Sequence, residues 1–275
     1  MAATKKTAAP KKSAGFQGVR HAIIIIILAF AVGVCFYLFF LGNPNNFANG
    51  DPEGHPLNML GTVYKGGWVV PIILGLLCTV IAMSVERIIA ISACAGKGNV
   101  TKFTENVKMA LKNGDIAKAE ELCNKQKGSV ANVVLADLKA YKEMETAPIK
   151  LKEKVAAIQN AHEEASALEM PTMTMNLPII ATIVTLGTLT ALFGTVLGMI
   201  RSFAALAAGG GADSMALSAG ISEALVNTAS GILTSWFAVV IYNFFTNKID
   251  KLTYALDEVG YTIAATYDVN HATEA

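Results

Sequence analysis

The sequence predicts an all-α integral membrane protein with about four transmembrane helices and a helical cytoplasmic domain. Three observations carry that reading. Of the 275 residues, 53% are hydrophobic and 16% are charged, where soluble domains carry about a quarter charged residues. Four apolar runs each reach the length of about 20 residues that spans the hydrocarbon core of a bilayer. Lysines and arginines gather in alternate connections, the bias that orients a multi-pass chain.

Residues 1–20 are rich in Ala, Lys and Pro without apolar periodicity and read as a basic, solvated tail. The segment 21–42 holds the run Ala22 to Leu41, uninterruptedly apolar or small. Its rival reading is a signal peptide, whose apolar core of about 7–15 residues ends in an A-x-A-like site. Here the run is longer, and "GNPNNFANGDPEGHP" follows it. A loop at 43–67 leads to a second span at 68–92, which closes in "SVERIIAISA", with Glu86 and Arg87 near a membrane interface.

The segment 93–175 is polar, and a third span follows at 176–208, interrupted by Arg201. After a loop at 209–218 comes a fourth span at 219–246 and a C-terminal segment at 247–275. Five basic residues lie in the tail, twelve in 93–175 and two after Phe245, against Lys65 alone in 43–67 and none in 209–218. Both termini and the large segment are therefore expected on the cytoplasmic side. In that segment Asp115 is positioned to cap "IAKAEELCNK", and "VANVVLADLKAY" has apolar residues at i, i+3, i+4 spacing. Pro148 opens a further periodic run leading into the third span. Its charges nearly cancel, which describes a solvated helical domain, with partner docking as the lesser reading.

Composition and motifs exclude several classes. A net charge of +1 gives no nucleic-acid footprint. Gly96-Lys97-Gly98 lacks the leading glycine and following Ser or Thr of a phosphate loop, and His162-Glu163-Glu164 is not completed to H-E-x-x-H. Cys35 and Cys78 lie in apolar runs and Cys94 and Cys123 in or beside a lysine-rich segment, without metal-ligand spacing. The glycine triplet Gly209 to Gly211 reads as a flexible outer loop. No cofactor, metal or enzymatic activity is expected, which leaves an ion gradient as an energy source.

The polar residues of the last two spans are patterned. Thr188, Thr195 and Ser202 are spaced by seven on one face of the third, and Gly194 and Gly198 form a small-xxx-small pair. In the fourth, Glu223, Asn227, Ser230 and Thr234 share a face, with Thr228 beside it. At about 1.5 Å rise per residue, Thr228 lies roughly 13 Å from Ala219 and Thr195 roughly 15 Å from Ala205. The two threonines are thus expected to face each other, with Glu223 nearer the outer surface. Ser and Thr in membrane helices often bond their own backbone or join neighbouring helices. Glu223 has two readings: a functional intramembrane carboxylate, since such charges cost about 2.5–3.5 kcal/mol on insertion scales, or an interfacial group favoured at a helix N-terminus.

These residues also resemble a known family. "LFGTVLGMIRSF" (Leu192 to Phe203) is similar to the L-x-G-T-V-x-G-M-I-x-x-F motif of the ExbB/TolQ/MotA proton-channel family. "GISEALVNTASGIL" followed by "VVIYNFF" is similar to that family's last membrane helix, and "WVVPIILGLLCTVIAMSVERIIAI" to its helix ending in Glu-Arg. The resemblance covers residues 60 to 250, and its E-A-L-x-x-T form favours the ExbB/TolQ branch.

It implies that Thr195, Glu223 and Thr228 are pore residues, and the polar stripes of the two spans add Asn227 and Thr188 as candidates for the same proton pathway. It further implies a homo-oligomer, a pentamer, around a single-span ExbD/TolR-like partner with a membrane aspartate. A TonB-like protein and location in a bacterial inner membrane follow from the same likeness. Three spans match the family core, so 21–42 is expected to be a peripheral helix without a role in conduction. Gly187, Thr188 and Ala191 depart from the common alanine, proline and glycine, and Phe237 replaces a frequent proline. A structural scaffold, with Glu223 an interfacial cap, and a solute transporter are the readings from other classes.

Overall fold

The computed structural model describes residues 22–52, 54–208 and 214–272. The expected tail at 1–20 and the triplet Gly209 to Gly211 lie outside them. Every element among the described residues is helical, apart from an isolated bridge between Phe47 and Pro56. The described residues divide into two compact units: Ile88–Met175 with 246–272, and 22–87 with Asn176–Phe245.

The second of these units contains the apolar helices. Helix α1 (Ala22–Cys35) continues as a π-helical turn, Phe36–Leu41, and α2 (Met59–Tyr64) precedes α3 (Val69–Ala95). Helix α8 spans Leu177–Ala208 and α9 spans Ser214–His271. Four helices are long and apolar enough to cross a membrane, which makes this an all-α membrane protein. Helix α1 bares Ile23, Ile27 and Leu28 by more than 60% each, a surface at rest only in apolar surroundings.

What ties α1 down is local. Gly33 backs onto α3 so closely that a Cβ there would lie 2.7 Å from the Gly75 backbone nitrogen. Tyr37 stacks on Tyr64, with centroids 4.6 Å apart, and donates its hydroxyl to the Tyr64 carbonyl at 3.1 Å. Asn46 is buried and donates to the Phe40 and Leu41 carbonyls, both at 2.9 Å. Those carbonyls lie in the last helical turn, where the ladder runs out of amide donors.

Helix α9 begins at Ser214, inside the segment 209–218 that the sequence assigns to a loop, because nothing from Ser214 to Ala219 breaks a helix. It then runs unbroken to His271. No proline or glycine interrupts residues 232–259, and Phe237 supplies the backbone donor that a proline would remove. Glu86 and Arg87, expected near an interface, are both buried. The guanidinium Nε lies 2.5 Å from the neighbouring carboxylate.

The other unit is a helical assembly of α4 (Val100–Lys112), α5 (Ile116–Gln126), α6 (Gly128–Glu145), α7 (Leu151–Thr174) and the distal part of α9. The cap expected at Asp115 forms: its carboxylate accepts from the Lys118 backbone at 2.9 Å. Asn99 caps α4 in the same way. The Gly96-Lys97-Gly98 stretch is a turn between helices, in which the Lys97 amide donates to the Gln126 carbonyl at 2.6 Å. Val107, Val130, Val134, Leu138, Ile158, Val259, Ile263 and Tyr267 form its core. Burial pushes the Cys123 thiol up to about 12, so it stays an unreactive thiol of that core.

Helices α8 and α9 pack with almost no side chain between them. A Cβ on Gly198 would lie 2.7 Å from the Gly220 carbonyl and 2.8 Å from the Ala224 amide. Both are backbone atoms, so the obstacle cannot rotate away. Gly198→Val is therefore expected to destabilise the helix pair by at least the 1–3 kcal/mol, roughly, that overpacking costs. Thermal unfolding of the detergent-solubilised protein measures it, and an unchanged midpoint contradicts this packing.

Candidate functional site

The site lies along this α8–α9 contact, where small residues let two backbones approach and the polar side chains are left to one another. Gly194 leaves room for Asn227, Gly187 for Ser235, and Ala191 meets Gly231. The heptad stripe of α8 points into the same seam at each step. Thr188 donates to the Ser235 hydroxyl at 3.0 Å, and Ser202, fully buried, donates to the Leu217 carbonyl at 3.1 Å.

Between these two lies the pair that sequence depth predicts. The hydroxyls of Thr195 and Thr228 are 2.5 Å apart. Thr195 is also 3.0 Å from the Ala191 carbonyl and Thr228 is 2.9 Å from the Ala224 carbonyl. Two hydroxyls own two protons, yet three hydrogen bonds are on offer. One threonine must give up its carbonyl in order to donate to the other. The two arrangements differ only by rotation of hydroxyl hydrogens, so the pair can reverse its polarity without moving a heavy atom. Both residues are half-buried, which leaves one side of the pair open to an approaching group.

Glu223 lies just over one helical turn from Thr228 along α9. Its carboxylate is 6% exposed and is not isolated among apolar neighbours, as the sequence alone suggests. Nη1 of Arg201 donates to both carboxylate oxygens at 2.6 Å. Sequence reading treats Arg201 as an interruption of the third span. The signal that could have identified it is charge economy: one cation and one carboxylate, each costly in a membrane helix, lie near the adjoining ends of two successive spans. The pairing compensates the Glu223 charge and removes the plain helix-cap reading, since the carboxylate is spent on a side chain of another helix.

Two glycines before α3 complete the surroundings, and sequence reading does not single them out. Gly67 has a left-handed backbone (φ +76°), and a Cβ there would come within 2.6 Å of Glu223 Oε1. Gly66 presents its carbonyl to Asn227, whose Nδ2 donates to it at 3.0 Å. Asn227 is fully buried and its Oδ1 has no partner. It thereby pins the turn before α3 to α9, while its other face lies on Gly194.

The predicted residues thus separate. Thr195 and Thr228 meet, Glu223 and Asn227 share the Gly66–Gly67 turn, and Thr188 is two turns away and joined to Ser235. Thr234 lies along the same face but spends its hydroxyl on the Ser230 carbonyl at 3.0 Å.

Arg201→Gln leaves the enclosed carboxylate without its cation, which is expected to cost about 1–3 kcal/mol or more. Adding Glu223→Gln to that variant should restore most of the loss, because the orphaned charge goes with it. A double-mutant cycle by thermal unfolding in detergent reads the coupling, and strict additivity of the two losses refutes the pairing.

Comparison with known proteins falls on the same helices. Residues 128–258 match the model of the MotA/TolQ/ExbB proton channel family. The chain is 33% identical to a biopolymer transport protein ExbB of Pseudomonas putida over 143 residues, covering 50% of this chain and 42% of that one. It is 34% identical to a Tol-Pal system protein TolQ of Pseudomonas aeruginosa over 34% of this chain and 41% of the relative. With an ExbB of Salmonella typhimurium it shares 38% identity over 29% of this chain and 33% of the relative. The chain therefore spans well under two thirds of the length of each of these three relatives. The matched segment carries the Thr195–Thr228 pair, Arg201 and Glu223 on its two closely packed helices, and over that segment the sequence is that of the MotA/TolQ/ExbB proton channel family.

Proposed function

We propose that the protein is a proton-channel motor subunit that uses the proton motive force with a single-span ExbD/TolR-like partner to energise TonB-dependent transport across an outer membrane. The observation that carries this reading is the threonine pair. A scaffold needs hydroxyls to bond backbone or a neighbour, as Thr188 does; it has no need of two competing hydroxyls at one depth beside an ion-paired carboxylate. The Thr195–Thr228 pair can accept from a protonated partner aspartate and then return a hydrogen bond to its ionised form, by turning its own hydroxyls. Glu223, compensated by Arg201, supplies a fixed polar mouth to this path. Each charge that crosses releases about 2.3 kcal/mol per 100 mV.

On this reading the chain works as a homopentamer in a bacterial inner membrane, with both termini cytoplasmic and the exposed apolar faces of α8 and α9 turned to other copies or lipid. The peripheral α1, which carries no acidic or basic side chain, takes no part in conduction, and the chain is not an enzyme. A Tol-type role in envelope maintenance is the second reading, because the TolQ relative matches over a similar share of the chain. Gliding or secretion motors share the same chemistry.

Thr195→Val keeps the shape of the side chain and removes its hydroxyl. It is expected to assemble normally while losing coupled transport by about the 10²-fold or more that positioned proton-transfer groups contribute. Glu223→Gln is expected to assemble and to lose coupled transport as well, and full activity in that variant removes Glu223 from the mechanism. Co-expression with a single-span protein carrying a membrane aspartate, followed by native mass determination, should yield a pentamer holding a partner dimer. Recovery solely as a monomer contradicts the assembly.

A further inference from the structure

The helical unit contains a buried carboxylate that none of this chemistry uses. Asp137 occupies a core position of α6 and is fully enclosed. Its Oδ2 lies 2.8 Å from Nδ1 of His162 on α7, and its Oδ1 has no partner. On the far side of the ring, Nε2 of His162 is 3.5 Å from Oδ1 of Asp257 on distal α9 and 3.5 Å from the hydroxyl of Ser166 on its own helix. Gly260, one turn on from Asp257, lies against the ring so closely that a Cβ there would overlap it. One imidazole is therefore clamped among three helices.

Proton positions follow from the chemistry of the partners. An ionised carboxylate accepts and cannot donate, so Nδ1 carries a hydrogen towards Asp137. A neutral ring then presents the Nε2 lone pair to the Asp257 carboxylate, two acceptors face to face. A protonated ring donates at both nitrogens and bridges α6 to α9. We propose that His162 is a proton-dependent latch that holds the distal part of α9 against helices α6 and α7 when protonated and releases its α9 arm when neutral. The latch stands whether or not the chain conducts protons. It would make the helix that carries Thr228 and Glu223 responsive to the pH around the helical unit.

The electrostatics run the same way. The hydrogen bond from Asp137 is the largest of the effects that hold the His162 imidazole above the ordinary histidine range, against desolvation that lowers it. Burial pushes the Asp137 carboxyl up, opposed by its bond to His162. Both directions mean that the pair keeps a proton more firmly than the separate groups. A group with a raised folded-state value contributes stability that is complete below its unfolded value, about 6.5 for histidine, and is lost as pH rises through the folded value. The charged groups facing the ring are Asp137 from α6 and Asp257 from α9; Glu258, beside Asp257, is paired with Lys108 of α4.

Hydrogen exchange of the full-length protein in detergent tests this, read by mass spectrometry on peptides of distal α9 and corrected for intrinsic pH dependence. Protection of those peptides is expected to be about tenfold greater at about pH 6 than at about pH 8.5. His162→Gln should abolish that step, which also separates it from any contribution of His271. Asp257→Ala, at a largely exposed position, should at least halve it while the protein remains folded. PH-independent protection in the wild-type protein overturns the latch, as does a step of undiminished size in Asp257→Ala. Should His162→Gln fail to fold, the Asp257 variant decides alone.

Discussion

The membrane unit depends on one constraint, the near-contact of the α8 and α9 backbones. Where Gly187, Gly194 and Gly198 face Ser235, Asn227 and Gly220 or Ala224, there is no apolar side chain to fill the gap and no bulk water to enter it. The hydroxyls on either face are then satisfied by the opposite helix or by their own backbone, and Asn227 by the Gly66 carbonyl, because an unpaired group in hydrocarbon costs several kcal/mol. The observed bonds follow from that demand. Thr188 finds Ser235, Ser202 finds a carbonyl, and Thr195 and Thr228 find each other. The threonine pair differs from its neighbours in being over-supplied with acceptors, which is what lets it act as a switchable element inside an otherwise rigid seam.

Charge is handled alike in both units. Two enclosed carboxylates are met by a cationic or proton-bearing side chain from another helix, Glu223 by Arg201 and Asp137 by His162, while Glu86 pairs with Arg87 of its own helix. In the first case the partner is permanently charged, so the pair is a fixed polar feature beside the Gly66–Gly67 turn. In the second it titrates, so the strength of the link between helices varies with pH. Guanidinium and imidazole are not interchangeable here, because arginine cannot lose its proton in a protein whereas histidine does so near neutrality. The chemistry of the counter-group therefore decides whether a buried carboxylate anchors or switches.

The match to the MotA/TolQ/ExbB proton channel family covers a segment, 128–258, with residues in both units. It includes α6 and α7 together with α8 and most of α9. The region with which family members are aligned thus contains the seam as well as the His162 cluster, while α1 and the turn structure between Asn43 and Tyr64 lie outside it. Those N-terminal elements are held by aromatic stacking and by Asn46, and they expose long apolar faces.

Much of the fold was legible in the sequence, for identifiable reasons. Apolar length marked four helices because a bilayer sets a minimum span, and the Asp115 cap was readable because capping is local. The meeting of Thr195 and Thr228 was readable too, since helical rise is constant and the two spans are antiparallel. Asp137 was not legible: it lies within the apolar pattern of "VANVVLADLKAY", and only the packing of α7 and α9 around α6 gave it a histidine. Arg201 likewise read as an interruption until α9 supplied its carboxylate, and nothing in the sequence singled out Gly66 and Gly67, which Glu223 and Asn227 close over. Periodicity and rise act along one chain segment, so the sequence by itself determined which residues share a face and at what depth. Which face meets which is settled by close packing between segments far apart in sequence, and the tertiary structure alone decided that Glu223 and Asp137 each find their partner on a different helix.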